Sequence, residues 1–566
     1  MATETILSPG VLLQEIDKSF ITPGVDPSGL AIIGPTVKGP VEIPTYIKDY
    51  NTFKEVYGTT LESASNAYEY YTSLAVKNYF QNGGSSCIVT RVVKNSANWA
   101  PATSSAITEV GSGADPFKLE TLGKGVIFNS ATGTKDNVKW EILNPNSAQG
   151  TFTLVIRRGD DTDAKPIVLE TFTECSLDPL SENYIARRVG DQYFEKDETD
   201  PNNIVITTKG EFPNKSKYVR VHSVIEQLYE YIDAGGNVQA GYADKLPQSG
   251  SGTFEGAAGD NLAGDPLFGA DGIADGSTQG LAEGDYDDAI NILKNKDEYR
   301  FKTLIIPGLV QSITNQASRI DTVISNTTAR GDSFFVVDLV DYGSATNGVT
   351  GEAGDLDTSF AAAYWPWVLV KSTELGRNVW CPASTVIPGV YAKNDSLAAP
   401  WFAPAGLTRG GISNVVRVEK KLPKATRDTL YSNKVNPLAT FPGQGIAVFG
   451  QKTLQNAKSA LDRVNVRRML LDVKDTINGF SKSILFENNT QQTRDRFVRL
   501  ATPYLESLVQ RQGLYAFQVK MDGQNNTPDI IDENKLVGQV FLQPTKTAEF
   551  IVLDFILTPT GASFTD

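Results

Sequence analysis

The chain has 566 residues, 40% of them hydrophobic and 21% charged, with a formal net charge of −14. That length holds roughly three to five domains, and the ordinary apolar content points to packed rather than disordered structure. The acidic surplus argues against general nucleic-acid binding, and three widely spaced cysteines (Cys87, Cys175, Cys381) give neither a disulfide framework nor the CxxC spacing of a zinc site.

No basic start leads into an apolar run, so no secretory leader is expected. WPWVLV (Trp365 to Val370) is among the densest apolar runs. Nothing approaches the roughly 20 residues of a membrane helix, so a soluble protein made in a cytoplasm is expected, with no membrane insertion. The charge is uneven. Asp233 to Asp288 holds eleven Asp/Glu and one Lys, whereas Gln451 to Met521 holds twelve Lys/Arg and six Asp/Glu.

In chain order, residues 1–24 form an N-terminal arm. SPGVLLQEID (Ser8 to Asp17) is short and extended, and a Pro/Gly-rich stretch follows it. Gly29 to Gly58 reads as strand, Gly-Pro turn, strand and short helix. Asn66 to Gln81 is a helix with Tyr71, Leu74, Ala75, Asn78 and Tyr79 on one face, and Asn82 to Val93 is a turn and strand. Residues 95–225 are β-rich, with Phe152 to Gly159 as a strand and a helix around Pro179 to Arg188. Residues 226–284 are an acidic loop region, with 13 glycines between Gly235 and Gly284. No EF-hand spacing is present there. Residues 285–409 alternate helix and strand: Phe301 to Gly308 and Phe334 to Val340 are buried strands, with a helix over Gln311 to Ser325 between them. That alternation predicts an open α/β sheet.

The C-terminal stretch forms a further α+β module. Val466, Met469, Leu470, Val473, Ile477, Phe480 and Ile484 recur at helical spacing. Phe497, Leu500, Ala501, Tyr504, Leu505 and Leu508 mark a second helix, which carries Pro503 and stops at Gly513. AEFIVLDFIL (Ala548 to Leu557) is a strand with Ile551, Leu553, Phe555 and Leu557 on one row, and residues 558–566 are a C-terminal arm.

Several segments resemble contractile phage tail sheath proteins, in order along the chain. They are the S-P-G-V start, the Gly-Pro turn leading to Phe53–Gly58 (F-x-x-x-[YF]-G), and Cys381 to Ile412 with P-A-S, G-V-Y-A, N-D and P-W-x-x-P-A-G. They continue with Gly445 to Leu454, where Phe449 stands in the place of a usual Trp, and Val464 to Arg468. The resemblance implies an α+β multidomain fold with three parts. An inner polymerisation domain is built from both chain ends (25–94 and 410–557), an α/β domain of subtilisin-like topology is inserted (285–409), and a β-rich insertion lies outside. It further implies a structural subunit of the contractile sheath. That subunit forms a helical homo-oligomer, with six-fold rings, around an inner tail tube. It meets baseplate and tail terminator proteins, is assembled in the host cytoplasm, and contracts to drive the tube through the envelope for genome delivery. A bacteriocin or other contractile injection sheath is the alternative, and a hydrolase using the α/β domain is a third reading.

By the same resemblance, strands are exchanged between subunits. The segments concerned are Val11, Leu12, Leu13, Gln14, Glu15 and Ile16 near the start, and Phe550, Ile551, Val552 and Leu553 near the end. The basic bias of the terminal module then directs Arg494, Arg496, Arg499 and Arg511 toward an acidic tube. Catalytic chemistry finds no support. The single histidine, His222, lies in a strand-like KYVRVHSVIE, and no GxSxG, GxxxxGK[ST], HExxH or GxGxxG is present. No enzyme activity, cofactor or metal is expected.

Overall fold

The protein was analysed as a computed structural model that describes residues 28–63, 66–129, 133–197, 199–200, 204–233, 235–259, 279–313 and 315–549. Both expected exchange segments, Val11–Ile16 and Phe550–Leu553, lie outside the described residues, as do both arms and the AEFIVLDFIL strand beyond Glu549.

An eight-stranded sheet organises the body. Its strands are β1 (Ser28–Gly34), β2 (Thr45–Ile47), β3 (Cys87–Arg91), β4 (Phe301–Val310), β5 (Phe334–Asp338), β6 (Ala361–Trp365), β7 (Val435–Phe441) and β8 (Gly445–Val448). Their order is β2-β3-β1-β4-β5-β6-β7-β8. Six strands, β3 to β7 by that order, run parallel, and β2 and β8 close the two edges antiparallel. Alternate residues of each strand feed two cores. Leu30, Ile32, Phe334 and Val336 face one, and Ala31, Ile33, Phe335 and Val337 face the other. Helices α1 (Tyr71–Gln81) and α3 (Ile387–Leu397) cover the first face, and α2 (Gln316–Arg330) covers the second. Burial on both faces explains the continuous apolar runs of these strands.

This sheet corrects the expected division of the chain. The expectation joins residues 25–94 with 410–557 in one inner domain. Instead β1 pairs with β4 (Ile32 with Ile305), so 28–93 is part of the same sheet as 301–448. The reason is register: Ala31 and Ile33 complete the core that Leu304, Ile306 and Val337 require. The helix expected from Asn66 also begins later. Asn66–Glu69 is a strand paired with Thr60–Ser63, and α1 starts at Tyr71 and is buried from Tyr71 through Tyr79.

The insertion runs from about 95 to 259 and contains two four-stranded antiparallel sheets. Phe117, Trp140, Phe152, Leu154 and Val219 pack between them. The expected boundary at 225 is wrong, because Gly250–Gly252 pairs with Trp140–Ile142 and Phe254–Glu255 pairs with Thr103–Ser104. Part of the acidic stretch therefore closes both sheets and is not loop. Arg91, 1% exposed, locks the insertion to the body: its guanidinium donates to the carbonyls of Gly39 (2.7 Å) and Lys124 (3.0 Å) and lies 4.9 Å from the Trp99 ring centre. Burial pulls its pKa down to about 10.

Among the described residues no helix is long and apolar enough to cross a membrane.

Candidate functional site

Downstream of the sheet stand two helices and a ribbon. They are α4 (Val464–Lys482), α5 (Gln491–Gln510), and the hairpin of β9 (Leu514–Lys520) and β10 (Gln539–Pro544). The Thr490 hydroxyl caps α5 by accepting from the Thr493 amide. Pro503 sits inside α5, which continues past it to Gln510. Gln512 takes a left-handed φ of 63° and ends the helix. Gly513 follows where a Cβ would stand 3.2 Å from the Trp401 ring.

Phe517, Val519, Val540 and Leu542 turn one face of the hairpin onto Val466, Met469, Val473, Leu505 and Leu508. The other face is open, with Tyr515 66% and Phe541 52% exposed. Among the described residues the hairpin is a two-stranded sheet, so neither outer edge is paired with another strand. Two strands are fewer than a sheet normally needs for its own stability, and unpaired edges are templates for further strands.

The module is fixed firmly to the body. Trp401 inserts between them: its Nε1 donates to the Arg511 carbonyl (3.0 Å) and its own carbonyl accepts from Asn465 Nδ2 (3.0 Å). Lys302 pairs with Asp472 (2.6 Å), and Arg300 with Asp475. Within α4 two adjacent arginines are buried. Arg468 donates to Asp395 (2.5 Å) and packs over Tyr391, whereas Arg467 donates to Ser359 and lies 4.0 Å from the Phe360 ring centre. With no carboxylate partner Arg467 has its pKa pulled down to about 10 by burial, while Asp395 outweighs burial and raises that of Arg468. This twofold embedding corrects the expected single apolar stripe: Leu471 is buried and Leu470 only half-buried.

The four expected tube-facing arginines divide. Arg494 is 7% exposed and donates to Asn489 Oδ1 (3.0 Å), so it is a structural residue of the first turn of α5 and is corrected out of the set. Arg496, Arg499 and Arg511 are exposed; Arg496 pairs loosely with Glu487 (3.6 Å), and Arg511 stacks 4.6 Å from the Trp401 ring centre. Glu549 escaped the sequence reading. Its carboxylate accepts from Arg463, Tyr431 and Gln451, all on the body side. A single Glu at the start of the AEFIVLDFIL run gave no signal for that role.

The structure brings no catalytic set together among the described residues. His222 is exposed and rests 2.8 Å from Glu120. Asp338, at the end of β5, accepts from the Ser384 hydroxyl (2.5 Å) and amide (3.2 Å). Both residues are buried, and no histidine adjoins them in a triad. All three cysteines are buried, and burial pushes the Cys381 thiol up to about 12. No group of acidic, Cys or His residues suited to a metal ion occurs among the described residues.

Residues 279–454 match the phage tail sheath protein central domain, and residues 456–558 match the phage tail sheath C-terminal domain. The tail sheath protein of Vibrio phage KVP40 is 39% identical over 190 residues, 34% of this chain and 28% of the phage protein. That of Enterobacteria phage T4 is 34% identical over 231 residues, 40% of this chain and 35% of the other. The aligned stretch thus spans about a third of the length of these relatives. A sheath tail protein from Listeria innocua superposes with a TM-score of 0.54 at 9% identity, covering 92% of this chain and 96% of that one, a likeness of fold alone.

Proposed function

Because the chain belongs to the phage tail sheath family, we propose that it is a structural subunit of a contractile tail. It polymerises helically, as six-fold rings, around an inner tail tube, and contracts to drive that tube through the host envelope for genome delivery. Assembly takes place in the host cytoplasm, with baseplate and tail terminator proteins at the two ends. The parallel sheet of the body corresponds in this reading to the family's domain of subtilisin-like topology, with its first strands supplied by residues 28–91.

The observation that carries the proposal is the β9–β10 hairpin with both edges unpaired. Val11–Ile16 of one neighbour and Phe550–Leu553 of another would extend this ribbon, turning a marginal two-stranded sheet into four strands. Backbone hydrogen bonds then link subunits while their surfaces repack, so contraction draws on the difference between two packings and needs no nucleotide. Arg496, Arg499 and Arg511 face the tube.

Electron microscopy of the purified protein tests this reading. Tubes with a hollow lumen are expected; discrete particles at every concentration would refute it. Charge reversal at Arg499 and Arg511 is expected to weaken tube docking and leave sheath-to-sheath contacts intact.

A further inference from the structure

Glu549 is held by an unusual number of donors. The Glu549 carboxylate accepts from Arg463 Nε (2.7 Å) and Nη2 (3.1 Å), a bidentate pair, from the Tyr431 hydroxyl (2.7 Å), and from Gln451 Nε2 (3.0 Å). Gln451 Nε2 also donates to Thr547 Oγ1 (2.8 Å), so two residues of this strip are held by one amide. Asp462 steadies Arg463 from the other side at 2.9 Å, and Lys452 lies 4.4 Å from the Tyr431 ring centre.

The placement of these partners is informative. Tyr431 closes the helix Lys424–Ser432, Gln451 follows β8, and Arg463 immediately precedes α4. None of them belongs to the hairpin. The chain therefore leaves β10 at Pro544, crosses from the module to the body, and is fastened there before residue 550. Four donors on one partly buried carboxylate far exceed what a surface ion pair provides.

We infer that Glu549 is the anchoring post from which the C-terminal segment departs, so that load on that segment enters the body at the root of α4 and bypasses the subunit's own hairpin. This rests on the strand-exchange reading above. Arg463, Tyr431 and Gln451 are positioning residues: they fix Glu549, the residue that immediately precedes the expected exchange segment, to the body. The anchor also separates two tasks. The hairpin receives a neighbour's strand, and the post holds the subunit's own, with α4 joining the two.

The test uses the full-length chain, unmodified and as Glu549→Gln, Glu549→Ala and Arg463→Met. In the unassembled protein, tryptic cleavage after exposed Lys546 is expected to quicken about tenfold in Glu549→Ala and Arg463→Met, because the charge-assisted bonds that fasten this strip are lost, with cleavage after Lys520 unchanged. Assembled tubes of all three variants are expected to form, because the hairpin edges are intact, and to disassemble at lower urea than unmodified tubes. Unchanged cleavage, or tubes of unmodified resistance, would overturn the inference. Absence of tubes from the unmodified chain would instead overturn the assembly reading on which the inference depends. Glu549→Gln separates charge from shape: it is expected to fall between the unmodified chain and Glu549→Ala in both measurements.

Discussion

The body sheet and the terminal hairpin stand at opposite ends of what a β-sheet can be. In the body, six parallel strands are covered on both faces, and short antiparallel strands close each edge. The hairpin has two strands, one covered face and, among the described residues, two unpaired edges. The outer strands of the body sheet leave little free backbone, since β2 has only three residues and β8 already bonds to Gly410 and Ile412 on its outer side. A ribbon with free donors and acceptors is incomplete until something is added. Two sheets of one chain thus differ in how much backbone they leave unpaired.

That contrast is broken most severely from inside the body. Phe334→Ala removes a fully buried ring from the first core and is expected to destabilise the subunit by about 3–5 kcal/mol, read from the chemical denaturation midpoint. A midpoint shift below about 1 kcal/mol would mean that this core is not the stabilising one.

A pH effect of roughly 4 kcal/mol is expected from Asp338. Burial pushes its pKa up to about 7, against about 3.9 for an unfolded aspartate. An acid with a raised folded pKa keeps its proton better in the native state. Its favourable contribution is therefore complete below about pH 4 and is lost as pH rises through about 7. Asp338→Asn is expected to flatten the fall in stability between those limits; an unchanged slope would assign the fall to other carboxyls, such as buried Glu69.

Proline scanning along Gln539, Val540, Phe541 and Leu542 sharpens the comparison. Successive amides of an edge strand point alternately to the partner strand and outward. Val540 and Leu542 pack in the core, so each proline is read against alanine at the same position. Every second proline is expected to cost about 3 kcal/mol beyond its alanine control, while the others cost nothing beyond it and stop polymerisation. An excess cost at all four positions would mean that the outer edge is already occupied in the lone subunit. The smallest expected effect is that of Arg499→Glu. Exposed and at a helix surface, it is expected to change subunit stability by less than about 0.5 kcal/mol, so that any loss of tube binding reports docking alone.

Local features were legible in the sequence and distant partners were not. The run over Phe301 to Gly308 announced a doubly buried strand, which continues to Val310, and Phe497, Ala501, Leu505 and Leu508 announced the buried face of α5. Nothing near Ala31 or Ile33 shows that their neighbours in the sheet come from beyond residue 300, because register between distant strands is settled by the shared core. Charge misled in a similar way. Arg494 is expected to face a tube, yet Asn489 allows it to be buried, and Ser359 and Asp395, each over 70 residues away, do the same for Arg467 and Arg468. The closing strands of the insertion, Gly250–Gly252 and Phe254–Glu255, are too short and too polar to show any alternation. At the candidate site the helices beneath the hairpin were visible, but the Glu549 anchor was hidden, since its donors are scattered from Tyr431 to Arg463.

The pairing of β1 with β4 also has a meaning in time. Ile32 leaves the ribosome about 270 residues before Ile305, its neighbour in the sheet. At 5–20 residues per second that is an interval of roughly 15–50 s, during which the edge of β1 that β4 will later cover has no partner. The whole β-rich insertion is synthesised in that interval, from strands that pair only among themselves. Synthesis therefore orders the construction of the subunit: the insertion is complete while the body has three of its eight strands, and the hairpin with its unpaired edges follows after the whole sheet.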